Sequence, residues 1–191
     1  VANGEPLWSG TFDEKYTDIF AVEDAISGKV AEALKLRLAA PSLVRQTQNV
    51  EAYRLYLQGR LFQYKSTPQE IKQAIGFYEK ALVLDPNYAL AYAGIADSYR
   101  MLPITSDVSA SDAFPRSKDA ALRALELDDR SSQSHVALGY VYSWYEWNWP
   151  AAETEMRKAT ELDSNNPDAH RGLSILLTVT GRHDEAVSEM R

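Results

Sequence analysis

One helix end is written three times along this chain. Tyr78-Glu79-Lys80-Ala81-Leu82-Val83-Leu84-Asp85 returns as Leu122-Arg123-Ala124-Leu125-Glu126-Leu127-Asp128 and again as Met156-Arg157-Lys158-Ala159-Thr160-Glu161-Leu162-Asp163. An amphipathic segment follows each copy: Tyr88 to Leu102, Ser132 to Glu146, and Asp168 to Thr180. A unit recurring at this period buries its apolar face against its neighbours rather than in one central core. The pattern therefore predicts an all-α stack of helical hairpins, each an A helix followed by a B helix.

Small residues mark where those helices cross. The A-helix position is filled by Gly59, Ala96, Gly139 and Ser174, and a large residue stands three further on at Phe62, Tyr99, Tyr142 and Leu177. The first B-helix position is Ala74, Ser117, Ala152 and Ala186; the second is Ala81, Ala124 and Ala159. Helices approach to about 8 Å only where side chains are small. From Ala81 to Ala96, Ala124 to Gly139 and Ala159 to Ser174 the step is always 15 residues. Within a hairpin the step varies, so length variation is expected in the turn between A and B. The stretch from Pro103 to Ser111 then reads as an edge insertion, and Gly139 as a crossing point closed to large residues.

This arrangement over residues 50–191 resembles the tetratricopeptide (TPR) family. The resemblance implies a right-handed α-solenoid of about four hairpins, at 50–86, 87–129, 130–164 and 165–191, the last stopping inside its B helix. Residues 1–40 differ. Leu7-Trp8-Ser9-Gly10 reads as a strand, and Ile19, Val22, Ile26, Val30 and Ala33 form one face of a helix from about Asp18 to Leu38. Residues 41–49, with Pro41, read as a linker. Gly4-Glu5-Pro6-Leu7-Trp8 and Asp18-Ile19-Phe20-Ala21-Val22-Glu23-Asp24 resemble the end of a TolB-like amino-terminal domain. That resemblance implies a TPR region from a bacterial multidomain regulator, linked to a cyclase, a kinase or a winged-helix DNA-binding domain. The chain opens on Val1 without an initiator Met, so a piece of a longer protein is expected. Leu7 and Trp8 are expected to pack on the following helix or to pair with another chain.

Composition narrows the chemistry. No apolar run approaches the roughly 20 residues of a membrane helix. The net charge is −7 and Lys and Arg are scattered singly, which argues against direct nucleic-acid binding. Cysteine is absent, so disulfides, thiolate metal sites and a Cys nucleophile are excluded. The paired carboxylates Asp128/Asp129, Asp163/Asp168 and Asp184/Glu185 sit at helix ends and read as caps. His135 and His170 share one repeat position and read as packing between helices. No phosphate-cradling glycine loop, nucleophile elbow or zinc motif is present, so no catalytic residue, cofactor or metal is expected.

The family resemblance implies that the working surface is the concave groove lined by A helices. Carried onto this sequence, the groove positions are Tyr53, Tyr56, Arg60, Gln63 and Tyr64; Ala93, Asp97, Arg100 and Met101; Val136, Tyr140, Ser143 and Trp144; and Arg171, Ile175 and Val179. Tyr56 and Arg60 stand where the family's chaperone-tail clamp needs Lys and Asn, so that partner is not expected. The segment Trp144-Tyr145-Glu146-Trp147-Asn148-Trp149-Pro150 holds three of the four tryptophans. Its rings either cover the end of the third hairpin or present an aromatic hot spot. The expected function is a non-catalytic module that holds a protein or peptide segment in the cytoplasm. The alternatives are intramolecular control of an upstream domain, self-association through the last repeat or the amino-terminal strand, and, least favoured, an enzyme.

Overall fold

The computed structural model describes residues 47–106 and 108–190. The chain divides into two compact units, Val1–Val50 and Glu51–Arg191. The strand and helix expected within residues 1–40 lie outside the described residues. Among the described residues there are eight helices and no strand: α1 Val50–Lys65, α2 Pro68–Leu84, α3 Ala89–Thr105, α4 Ala110–Leu127, α5 Ser132–Trp144, α6 Trp149–Leu162, α7 Pro167–Val179 and α8 His183–Glu189.

The constant 15-residue joint has a local cause. Asp85, Asp128 and Asp163 each close a B helix by donating the backbone N–H to Ala81, Ala124 and Ala159. Each carboxylate then accepts the backbone N–H two residues on, from Asn87, Arg130 and Asn165, at 3.0, 3.1 and 3.0 Å. The same Asx turn, made three times, restarts the next A helix at one fixed angle. Starts are equally well marked. Thr67, Ser109, Ser131, Asn148 and Asn166 cap α2, α4, α5, α6 and α7 with their side-chain oxygens. Thr67 Oγ1 accepts the Glu70 backbone N–H and donates to the Glu70 carboxylate, with Pro68 in the first turn.

The hairpins are α1–α2, α3–α4, α5–α6 and α7–α8. The A helices also touch one another, α3 with α5 and α5 with α7, which makes theirs the inner layer. At the first seam the Tyr78 ring of α2 slots between Gly59 and Gly94. A Cβ on either glycine would come within 2.5 or 2.6 Å of that ring. At the third seam Met156 of α6 fills the space between Gly139 and Gly172, where a Cβ would meet its side chain at 2.7 and 2.5 Å. The equivalent residues of the second seam are Ala96, Ala121 and Ala137, all fully buried. Where the B helix inserts a large side chain, glycine faces it on both sides; where it offers alanine, alanine faces it. Gly139 therefore sits at a crossing point, as its register predicts.

The expected insertion in the second hairpin takes a different form. Most of the extra length is helix: α3 has 17 residues against 13 in α5 and in α7, and α4 has 18 against 14 in α6. Between Thr105 and Ala110 the described non-helical residues are Ser106, Val108 and Ser109. The flanks explain it. The added turns carry Leu102 and Ala113 onto Ile71 and Ile75 of α2, while the described residues between them, from Pro103 to Ser111, are half-buried or exposed.

Candidate functional site

A polar chain of contacts runs along the inner layer. Tyr78 donates its hydroxyl to Gln63 Oε1 at 2.5 Å, and Gln63 Nε2 donates to Asp97 Oδ2 at 2.6 Å. Arg100 Nε donates to Asp97 Oδ1 at 2.8 Å and its Nη2 completes the ion pair. The guanidinium then lies over the Tyr140 ring, 4.5 Å from its centroid, and Tyr140 packs against Trp144 at 4.4 Å. Helical spacing brings these groups together: Asp97 and Arg100 are one turn apart on α3, facing Gln63 on α1 and Tyr140 on α5. Burial alone would weaken the charge on Arg100, but Asp97 outweighs it and holds the guanidinium above its ordinary range. Burial also pushes the Tyr140 hydroxyl up, against the nearby charges of Arg171 and Arg100. That hydroxyl has no hydrogen-bond partner among the described residues.

Above this chain lies an open groove of about 570 Å³. Arg60, Gln63 and Tyr64 of α1, Asp97 and Met101 of α3, and Gln133 and Val136 of α5 line it. The far wall is the joint before α7, with Asp163, Asn165 and Asn166, and the first turn of α7, with Asp168. Arg60 is exposed and donates to the Tyr56 hydroxyl at 3.2 Å. Asn166 Nδ2 donates to Ser132 Oγ at 2.8 Å, and Ser132 Oγ donates to the Ala159 carbonyl at 2.9 Å, so the joint is held rigidly against α5 and α6.

The side chains expected in the groove fall into two groups. Arg60, Tyr64 and Asp97 line it, and Tyr64 is 89% exposed. Trp144 lines a separate, apolar notch of about 290 Å³ with Trp147, Trp149, Ile175, Leu176 and Val179. Arg171 is exposed and pairs with Asp168 at 2.5 Å. Tyr53 is half-buried against Tyr56. Tyr56, Arg100 and Tyr140 are packed inside the array: Arg100 is 3% exposed and Tyr140 1%. The expectation that these three line the open groove therefore fails. Arg100 and Tyr140 meet across α3 and α5, and Tyr56 packs on Tyr78 of α2 and on Tyr88 just before α3, so all three become cement between repeats. The joint residues Asp163, Asn165 and Asn166 were missed as groove residues, although the three equal Asp-closed joints marked where they lie.

Two histidines are held in contacts between helices. His135 Nδ1 meets Glu155 at 2.6 Å and His170 Nδ1 meets Glu189 at 2.9 Å, each tying an A helix to its B helix. The second ring nitrogens reach the carbonyls of Asp129 and Ser164. Among the described residues there is no cluster of His and carboxylates suited to a metal ion, and no helix long and apolar enough to cross a membrane.

No family model matches the chain. It is 26% identical over 150 residues to a protein named putative adenylate cyclase 3 of Rhizobium meliloti, covering 74% of this chain and 25% of that protein. It is 22% identical over 98 residues to the transcriptional regulator HilA of Salmonella typhimurium, covering 51% of this chain and 18% of that protein. The chain thus spans a quarter or less of these curated relatives. Among solved structures, a thermophilic TPR protein of Thermus thermophilus superposes with a TM-score of 0.62 at 20% identity, covering 89% of this chain and 84% of the other. The first TPR of Spaghetti (RPAP3), bound to an HSP90 peptide, gives 0.56 at 17% identity, covering 71% of this chain and 98% of the other. By fold, residues 51–190 form a tetratricopeptide-like α-solenoid.

Proposed function

We propose that this chain is a non-catalytic interaction module that holds a segment of another polypeptide in its concave groove. The observation that carries the reading is the open groove itself, whose walls come from three A helices and one joint. Its floor is already satisfied by the Gln63–Asp97–Arg100 network, and Arg60 and Tyr64 stand exposed along it. A structural neighbour of the same fold is described with a bound peptide. The carboxylates and histidines that could do acid–base work are instead engaged in turns and helix pairs.

The names of the sequence relatives favour a second reading. One is named a putative adenylate cyclase and one a transcriptional regulator, and this chain matches only a part of each. The groove would then hold a segment of its own polypeptide and control an attached enzymatic or DNA-binding domain of a bacterial regulator. In either case residues 1–40 are assigned to a TolB-like remnant, 41–49 to a linker and 50–191 to the array.

Photo-crosslinking separates the two. A crosslinking residue placed at Tyr64 or Gln133 in the full-length gene product should capture a separate polypeptide under the first reading and its own upstream region under the second. Equal capture from Lys80, on the B-helix side, would remove the groove from both.

A further inference from the structure

The joint that forms the far wall of the groove is tied to a histidine. His170 of α7 places Nδ1 2.9 Å from the Glu189 carboxylate of α8. Its Nε2 lies 3.1 Å from the Ser164 carbonyl, inside the joint. Ser164 stands between Asp163 and Asn165, and both of these line the groove. His135 makes the same pair of contacts one hairpin earlier, with Glu155 and the Asp129 carbonyl. The first two hairpins carry Leu55 and Tyr92 at the histidine position, and Phe77 and Ala120 at the glutamate position. The two positions thus change together, from an apolar pair to a titratable one. Of the two histidines, His170 is the one whose joint lines the groove.

The proton count follows from the partners. A carbonyl oxygen only accepts, and so does an ionised carboxylate. Both contacts are hydrogen bonds only when each ring nitrogen carries a proton, and the ring is then a cation. A neutral imidazole has a single N–H. Bonds to an ionised acceptor are roughly twice as strong as neutral ones, so that N–H stays on Glu189. Loss of the proton then leaves the Nε2 lone pair facing the Ser164 carbonyl, and the joint loses this tie. Its other ties carry no titrating donor: Asn166 Nδ2 on Ser132 Oγ, and the Asp163 backbone N–H on the Ala159 carbonyl. The charges about the ring favour the proton. Glu189 and the Ser164 carbonyl hold it above its ordinary range, Asp163 of the joint adds to the pull, and burial opposes it. On α7 itself, Asp168 and Arg171 pair with each other.

We infer that His170 is a proton-controlled latch on the groove: protonated, it fastens the Ser164 carbonyl and fixes the wall at residues 163–166; neutral, it stays with Glu189 and lets that wall move. This rests on the reading that the groove holds a polypeptide segment, and it adds that the hold responds to pH. The fixed wall is fully present below the ordinary histidine value of about 6.5 and is lost as pH rises through the elevated one.

The test measures the wall without a ligand. The chain has no cysteine, so nitroxide labels on Tyr64→Cys and Asn165→Cys report the gap between two exposed residues on facing sides of the groove. Pulsed spin-label distances are taken on the 191-residue chain at about pH 6 and about pH 8.5, on either side of the histidine's titration. The parent should show one narrow distance at the lower pH and lose it to a broad distribution at the higher. His170→Gln in the labelled chain should read the same at both. Glu189→Gln should keep the narrow distance at both, because an amide can donate to Nδ1 of a neutral ring and leave its Nε2–H for Ser164. Helix content by circular dichroism should stay constant throughout. Four outcomes overturn the latch: a parent distribution that ignores pH, a parent response retained by His170→Gln, a Glu189→Gln chain that broadens like the parent, or broadening that comes with loss of helix. Each leaves the groove reading standing, which falls instead if crosslinking from Lys80 equals that from the groove.

Discussion

The first and third seams of the solenoid solve one packing problem with different chemistry. Both insert a large B-helix side chain between two glycines, Tyr78 between Gly59 and Gly94, and Met156 between Gly139 and Gly172. Tyr78 is a stiff ring whose hydroxyl starts the polar chain through Gln63 and Asp97 to Arg100. Met156 is flexible and has no such handle, and beside it the Tyr140 hydroxyl is buried without a partner. Both seams are filled by a side chain of similar bulk, but their polarity differs. Pitch depends on volume and on the repeated Asx joint, so the concave face can change from polar to apolar along its length without disturbing the stack.

The comparison is broken most severely at its polar end. Arg100→Ala leaves Asp97 as a buried, unmatched carboxylate and should cost about 3–5 kcal/mol in urea unfolding. Arg171→Ala, removing an exposed pair, should cost about 0–1 kcal/mol. Equal losses would mean that the Arg100 pair is solvated in solution. Next comes the stiffness of the two seams. Gly94→Leu meets a ring that cannot yield and should cost about 3 kcal/mol or more, whereas Gly139→Leu meets the mobile end of Met156 and should cost roughly 1–3 kcal/mol. Thermal melts of the two variants decide it, and a larger loss for Gly139→Leu would reverse the assignment of stiff and soft seams.

Removing single hydroxyls sharpens the contrast. Tyr78→Phe strands Gln63 Oε1 inside the array and should cost about 1–3 kcal/mol, while Tyr140→Phe removes a hydroxyl with no partner and should be neutral or stabilising. A destabilised Tyr140→Phe would show that this hydroxyl has a bond in solution.

The smallest effect is on pH. Hydrogen bonding to Glu189, helped by the Ser164 carbonyl, holds the His170 proton above its ordinary range, and Asp163 adds to the pull. The stabilisation is fully present below the ordinary histidine value of about 6.5 and fades as pH rises through the elevated one. His170→Gln should therefore show a smaller fall in melting temperature between pH 6 and pH 8.5 than the parent. An identical fall in both would mean that the His170–Glu189 contact does not carry the charge.

Much of this architecture is legible in the sequence because it is local. The Asp that closes each B helix, the cap that opens the next helix and the 15-residue joint are set by residues within a few positions of one another. The crossing glycines were legible only by half. Gly59 and Gly139 follow from periodicity, but Gly94 and Gly172 matter because of Tyr78 and Met156 on another helix. Likewise Pro103 suggests a loop, yet α3 runs on to Thr105, because Leu102 finds Ile71 and Ile75 of α2 to pack on.

The sequence by itself thus determined the helices, their order and the face each turns inward, since periodicity and capping act along the chain. Only the tertiary structure decided which inward-facing residues remain open. Arg60 and Arg100 both read as concave-face arginines, one and four residues after the small residue of their A helices. Arg100 has Asp97 one turn before it and the Tyr140 ring of the next hairpin over it, and is sealed in; Arg60 meets the Tyr56 hydroxyl and keeps its charge exposed. Exposure is settled by what the neighbouring helix brings across the gap, and no spacing along one chain segment encodes it.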